Sequence, residues 1–190
     1  MKKRGILLLM NLVWCAAACL GQKAKAVPFS AVIDRLFSKV EADIVTSAEA
    51  MPEEKFNFTP DGLHLAGAAF DGVRTFSGQV MHLATDNILI WAAINNQPVA
   101  YTIPDVNGPA NIKTKKEVLD YLKYSFELGR RAIKTITAQT ATDLVSFRWR
   151  KLAKLDLAFY GMVHANEHYG QMAVYLRLCG IVPPPTATEK

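Results

Sequence analysis

The sequence predicts an all-α protein, a four-helix bundle with long connections between helices 1 and 2 and between helices 2 and 3. Four segments repeat apolar residues at the three-to-four spacing of a helix, Pro and Gly cluster between them, and little strand-like alternation interrupts them. With 190 residues, 51% of them hydrophobic and 21% charged, the chain can bury one core, and the composition excludes a disordered polymer.

Residues 1–26 read as a secretory signal. Lys2, Lys3 and Arg4 form a positive head, Ile6 to Leu20 an apolar stretch broken by Asn11, and Ala24-Lys25-Ala26 a small-x-small cleavage site. The expected mature domain is 27–190, exported to a periplasm or beyond the cell. The apolar run is short for a bilayer crossing and no second one follows, so no stable membrane span is expected after cleavage. Two alternatives are an uncleaved anchor and a lipoprotein attached at Cys19, behind Ala16-Ala17-Ala18 but without the usual leading Leu. Removal of Lys2, Lys3, Arg4, Lys23 and Lys25 lowers the 22 basic residues to 17, matching the 17 acidic ones. A domain without net charge has no electrostatic pull on phosphate, so nucleic acid is excluded as a partner. Cys15 and Cys19 leave with the signal, and Cys179, set among Leu176, Leu178 and Ile181, is expected as a small buried hydrophobe rather than a disulfide partner.

The first helix is expected from Ser30, as its cap, to Ala50, with Ile33, Leu36, Phe37, Val40, Ile44 and Val45 on its apolar face and Pro52 closing it. A long connection, 52–73, carries Pro52, Pro60, Gly62, Gly67 and Gly72, and is long enough to allow parallel neighbours instead of simple up-down order. The second helix starts at the cap Thr75, runs through Phe76, Val80, Leu83, Ala84, Ile88 and Trp91, and stops at Asn95-Asn96-Gln97-Pro98. After a second long connection, Thr114-Lys115-Lys116-Glu117 forms a capping box. The third helix then continues to about Thr140, and Phe147-Arg148-Trp149-Arg150 reads as an extended piece. The fourth helix, from about Ala153 to Cys179, stops at Gly180 before Pro183-Pro184-Pro185.

Chemistry concentrates on the fourth helix. His164 and His168, four residues apart, stack on one face. Leu157, Gly161, Gln171 and Tyr175 share their sector, so a polar patch replaces the apolar stripe where the bundle axis is expected. Buried imidazoles without partners are costly, and a divalent metal would give their nitrogens a role. His82, on the second helix beside Val80, Leu83 and Ala84, is the candidate third ligand, and Asp86, one turn on, could orient it or ligate directly. Three His ligands leave coordination positions for water, the arrangement of a catalytic site.

His164-Ala165-Asn166-Glu167-His168-Tyr169-Gly170-Gln171, followed by Tyr175-Leu176-Arg177 and Gly180-Ile181-Val182-Pro183-Pro184, resembles the last helix of the DinB-like superfamily. So do Phe56-Asn57-Phe58-Thr59-Pro60, Arg74-Thr75-Phe76 and His82-Leu83-Ala84, in matching order across nearly the whole mature chain. The resemblance implies a DinB-like bundle with a metal triad of His82, His164 and His168. It also implies a divalent ion such as zinc or nickel and a homodimer, with some members metal-dependent transferases or isomerases; the chemistry of the metal site itself allows a transferase or hydrolase acting on a small-molecule substrate. Some members use low-molecular-weight thiols, a cytosolic cosubstrate from which the export segment would separate this chain. The alternative is a non-catalytic exported bundle that serves binding or dimerisation.

His164 to His168 also fits H-x-x-E-H, a protease zinc pattern, but the required distant ligand has no sensible candidate among the few residues that follow. Arg148 and Arg150 flank Trp149 and could hold an anionic substrate, although a solvated face is the plainer expectation. His64 is expected on the surface, and Arg177 near a helix end fits the helix dipole.

Overall fold

The structure, a computed structural model, describes residues 26–184. The signal segment with Cys15 and Cys19 therefore lies outside the described residues, Ala26 apart. Among the described residues, four α-helices account for most of the fold: α1 Phe29–Ala50, α2 Phe76–Asn95, α3 Lys115–Lys134 and α4 Lys154–Leu178. Short 3₁₀ turns at Glu53–Lys55 and Pro60–Leu63 punctuate the first connection, and a hairpin of β1 Leu144–Phe147 and β2 Arg150–Ala153 precedes α4. Among the described residues no helix is long and apolar enough to cross a membrane.

Helix ends follow local chemistry. α1 starts directly after Pro28 with no side-chain cap, so Ser30 is inside the first turn and not the cap. Thr75 caps α2 by accepting from the Gly78 N–H, and Asn96 closes it in the left-handed conformation at φ 52°. At α3 the capping box forms as expected: the Glu117 N–H donates to Thr114 Oγ1 at 3.2 Å, and the Thr114 N–H donates to Glu117 Oε2 at 2.9 Å. α3 ends at Lys134, short of Thr140, because hydroxyls offer the backbone other partners. Thr135 Oγ1 donates to the Ala132 carbonyl, Thr140 Oγ1 donates to the Thr135 carbonyl, and the Thr137 N–H donates to Thr140 Oγ1. Gly180, at φ 79°, stops α4 as expected.

Cross-contacts fix the directions. Glu41 pairs with Arg130 and Glu49 with Lys123, so α1 and α3 run antiparallel. Thr85 meets Tyr121 and Asn87 meets Ser125, so α2 and α3 run parallel. Gln79 meets Gln171 and Asp86 approaches His164, so α2 and α4 are antiparallel. α1 packs on α3 and α4, as does α2, which leaves α1 and α2 facing each other across the core. Of the two parallel neighbouring pairs, α2–α3 and α1–α4, the former is joined by the second long connection, while the first connection joins a diagonal pair.

The core centres on Phe37, Trp91, Phe126 and Tyr121, all nearly inaccessible. Phe37 lies edge-on to Trp91 with centroids 5.2 Å apart and tilts against Phe126 at 5.5 Å. Leu36, expected inside, faces solvent at 55% exposure, since the apolar face of α1 follows Ile33, Phe37, Val40 and Ile44. α2 buries fifteen of its twenty residues and is the central rod. An all-round buried helix must satisfy its polar groups internally; Thr85 and Asn87 do so toward α3, while Gln79, His82 and Asp86 line the side toward α4.

The Phe147–Arg150 segment is a tight turn rather than one extended piece. Phe147 pairs with Arg150, leaving Arg148-Trp149 as a two-residue loop. Arg148 occupies φ 53°, a conformation that glycine takes freely in such loops and that costs other residues roughly 1–2 kcal/mol.

Candidate metal centre

The three sequence-selected histidines meet between α2 and α4. One ring nitrogen from each of His82, His164 and His168 lies within 4.8 Å of the others. His82 and His168 are buried, and the His164 side chain is 12% exposed. Ring centroids stand 4.6 Å apart for His164 and His168, 4.8 Å for His82 and His168, and 5.3 Å for His82 and His164.

Two rings are held from behind. His82 Nδ1 lies 2.7 Å from the Val106 carbonyl, which can only accept, so Nδ1 carries the proton and Nε2 keeps its lone pair. His168 Nδ1 donates to Gln79 Oε1 at 2.6 Å, and Gln79 Nε2 donates to Gln171 Oε1 at 2.7 Å. His168 Nε2 is thereby turned toward His164 Nε2, 3.1 Å away. His164 Nδ1 is buried without a partner among the described residues. No tautomer serves this ring fully. A proton on Nε2 satisfies His168 but leaves Nδ1 an orphaned acceptor; a proton on Nδ1 sets two lone pairs face to face.

A cation between the Nε2 atoms removes the clash of lone pairs in the second tautomer, so the residues fit a divalent ion. Two nitrogens bound at about 2.1 Å with tetrahedral angles stand roughly 3.4 Å apart and at most about 4.2 Å. The His164–His168 pair at 3.1 Å is already close to this spacing, whereas the widest separation in the cluster requires a small closure. At His164 and His168 burial also favours the neutral ring that a metal needs. Burial pushes His168 down to about 3, helped by its neighbours His164 and His82. Burial lowers His164 too, opposed by the charge of Asp86.

Asp86 does not orient His82. It is buried, accepts from Arg148 Nη2 at 2.9 Å through Oδ1, and turns Oδ2 toward His164 Nε2 at 3.6 Å. Arg148 is therefore no merely solvated charge. Tyr175 donates to the Arg74 carbonyl at 2.9 Å, and Tyr160 stacks on His164 with centroids 6.0 Å apart. Glu167 and His64 are exposed, and Cys179, half-buried, has its thiol raised by burial.

Sequence reasoning missed two contributors, Gln79 and Val106, and favoured a solvated face for the third, Arg148. Gln79 carried a signal, because 79, 82 and 86 share one face of α2. Val106 carried none in its side chain, because its backbone carbonyl does the work. A strap over residues 96–114 delivers that carbonyl: Asp105 Oδ1 accepts from the Asn107 N–H at 2.7 Å, and Gly108, at φ 93°, fits where a Cβ would lie 2.8 Å from Met81 Cε and Thr85 Oγ1. Arg148 reaches the site only through the hairpin fold.

A conserved protein from Enterococcus faecalis of known crystal structure is similar in fold, with TM-score 0.59 and 16% identity over 80% of this chain and 98% of that one. A DinB-like protein from Bacillus cereus gives TM-score 0.47 and 19% identity, covering 77% of this chain and 95% of that one. No curated protein matches the sequence significantly. The family model of the DinB superfamily matches residues 36–172, most of the chain and every element from α1 to α4, and the chain belongs to that superfamily.

Proposed function

We propose that this is an exported metalloprotein of the DinB superfamily that holds one divalent ion, zinc or nickel, on His82, His164 and His168. The reading extends to a metal-dependent transferase or hydrolase acting on a small molecule, working as a homodimer. One observation carries the metal assignment: three imidazoles from two helices converge, two of them fixed from behind, and the third is left with a conflict that a cation relieves. Such an ion, when bound, would act as a Lewis acid and lower the pKa of a bound water or thiol.

The chain's own residues prepare that site. Val106 and Gln79 fix the tautomers of His82 and His168, so both rings already carry their lone pairs on Nε2. Burial keeps His164 and His168 neutral. Asp86 sets a negative charge beside His164, and Arg148 balances it. Export is supported by the basic head, apolar stretch and Ala24-Lys25-Ala26 site, and the homodimer by the family resemblance.

Elemental analysis of the purified protein beside His168→Ala tests the assignment. About one equivalent of divalent metal is expected in the wild type, with loss in the variant; equal content in both would remove His168 from the site.

A further inference from the structure

The β1–β2 hairpin places a second group of chemistry-bearing side chains beside the histidines. Its loop residue Arg148 adopts the left-handed conformation at φ 53°, where glycine would be the unstrained choice. The strained residue is also the one whose side chain reaches inward. Arg148 Nη2 holds Asp86 Oδ1 at 2.9 Å, and its Cζ lies 5.2 Å from the centre of the Phe147 ring. One guanidinium nitrogen is thus engaged, and the remaining N–H groups have no hydrogen-bond partner among the described residues. The Arg148 side chain remains 33% exposed, so those donors face water.

Around it lies a cleft of about 80 Å³ walled by Phe147, Arg148, Trp149, Arg150, Leu152 and Tyr160. Trp149 is 80% exposed, an unusual cost for the largest apolar side chain, and Arg150 sits 5.7 Å over its ring. Tyr160 forms one wall and stacks on His164. Two guanidinium groups and three aromatic rings therefore converge on a mouth that touches the histidine cluster twice, through Tyr160 to His164 and through Arg148 to Asp86.

The geometry points to a carboxylate-binding subsite on this hairpin, with Arg148 as the specificity-determining residue for an anionic small molecule that carries an apolar or aromatic body. Asp86 positions the guanidinium from inside and the carboxylate takes its outer N–H groups, since an Arg fork can hold acceptors on two edges. The apolar body lies along Trp149 and Tyr160. The cleft admits a carboxylate and a few carbons, and the exposed indole receives the rest. The subsite is built from residues outside the three histidines and needs no ion.

Benzoate, acetate and benzyl alcohol, titrated by calorimetry and by Trp fluorescence, test it on zinc-loaded and chelator-treated protein. Benzoate is expected to bind at least ten-fold more tightly than benzyl alcohol, which lacks the charge, and than acetate, which lacks the ring. Arg148→Gln, which stays polar but is too short to reach Asp86 and carries no cation, should weaken benzoate ten-fold or more and leave benzyl alcohol unchanged. The double variant Asp86→Asn with Arg148→Gln removes the stranded carboxylate, and its thermal unfolding reports whether the hairpin keeps its fold. Benzoate binding in Arg148→Gln equal to wild type, or benzyl alcohol matching benzoate in the wild type, would overturn the subsite. Zinc stoichiometry on the same samples judges the metal reading separately, because its failure with charge-selective benzoate binding intact leaves the subsite standing.

Discussion

Gln79 shows how a residue that touches no ion can govern one. Its amide accepts from His168 Nδ1 and donates to Gln171, so it fixes both the tautomer and the tilt of the ring. Replacing it with Leu keeps the volume of a side chain that is 3% exposed and removes the acceptor. Zinc affinity of Gln79→Leu, measured by competition with a chromophoric chelator, should fall roughly 10- to 100-fold, the usual effect of losing such a support. The ligand candidates themselves were legible in the sequence because His164 and His168 sit on one face of a helix and His82 interrupts an apolar face of another. The hold of Val106 on His82 and of Arg148 on Asp86 was not, because both arise from a loop and a hairpin whose positions only the packed helices define.

Where two helices meet, a missing side chain can matter as much as a present one. Gly129 stands in the middle of α3, where Ala would normally gain about 1 kcal/mol of helix propensity. A Cβ at that position would lie 2.9 Å from Phe37 Cε2 and 3.0 Å from Trp91 Nε1, and both rings are too enclosed to yield. Overpacking of this kind costs about 1–3 kcal/mol, so it outweighs the propensity gain. Gly129→Ala should lower stability by about 1–2 kcal/mol in denaturant unfolding, whereas the same change at Gly170, which has open space around it, should be neutral or stabilising. Caps and stops at this scale were readable from sequence: Thr75, Thr114 with Glu117, and Gly180 each announce a helix end. The end of α3 was not, because the competing hydroxyls of Thr135, Thr137 and Thr140 act through bonds among themselves and with the backbone that periodicity does not register. The hairpin escaped for a related reason: an Arg occupies the turn position where a glycine would have signalled it.

At the scale of the whole molecule the buried histidines link stability to acidity. At neutral pH His168 is uncharged in both folded and unfolded chains. Below about 6.5 the unfolded chain takes up a proton that the folded one refuses until about 3. The unfolded state then binds more protons, so the contribution is fully present above 6.5 and is lost as pH falls through that window. The thermal midpoint of chelator-treated protein should decline progressively from pH 6.5 downward, and His168→Gln should flatten part of that decline. The parallel pairing of α2 with α3 obliges the intervening chain to travel the length of the bundle, and the strap makes that journey across the histidine cluster. Its grip on His82 is a peptide oxygen, which every amino acid possesses. Substitution at position 106 therefore leaves the acceptor in place, and family members are free to drift there without penalty to the cluster. Insertion or deletion between Asp105 and Gly108 is another matter, since it would shift the carbonyl out of register with the imidazole. Conservation at this contact should thus be written in loop length and in the glycine, not in the identity of the residue that makes it.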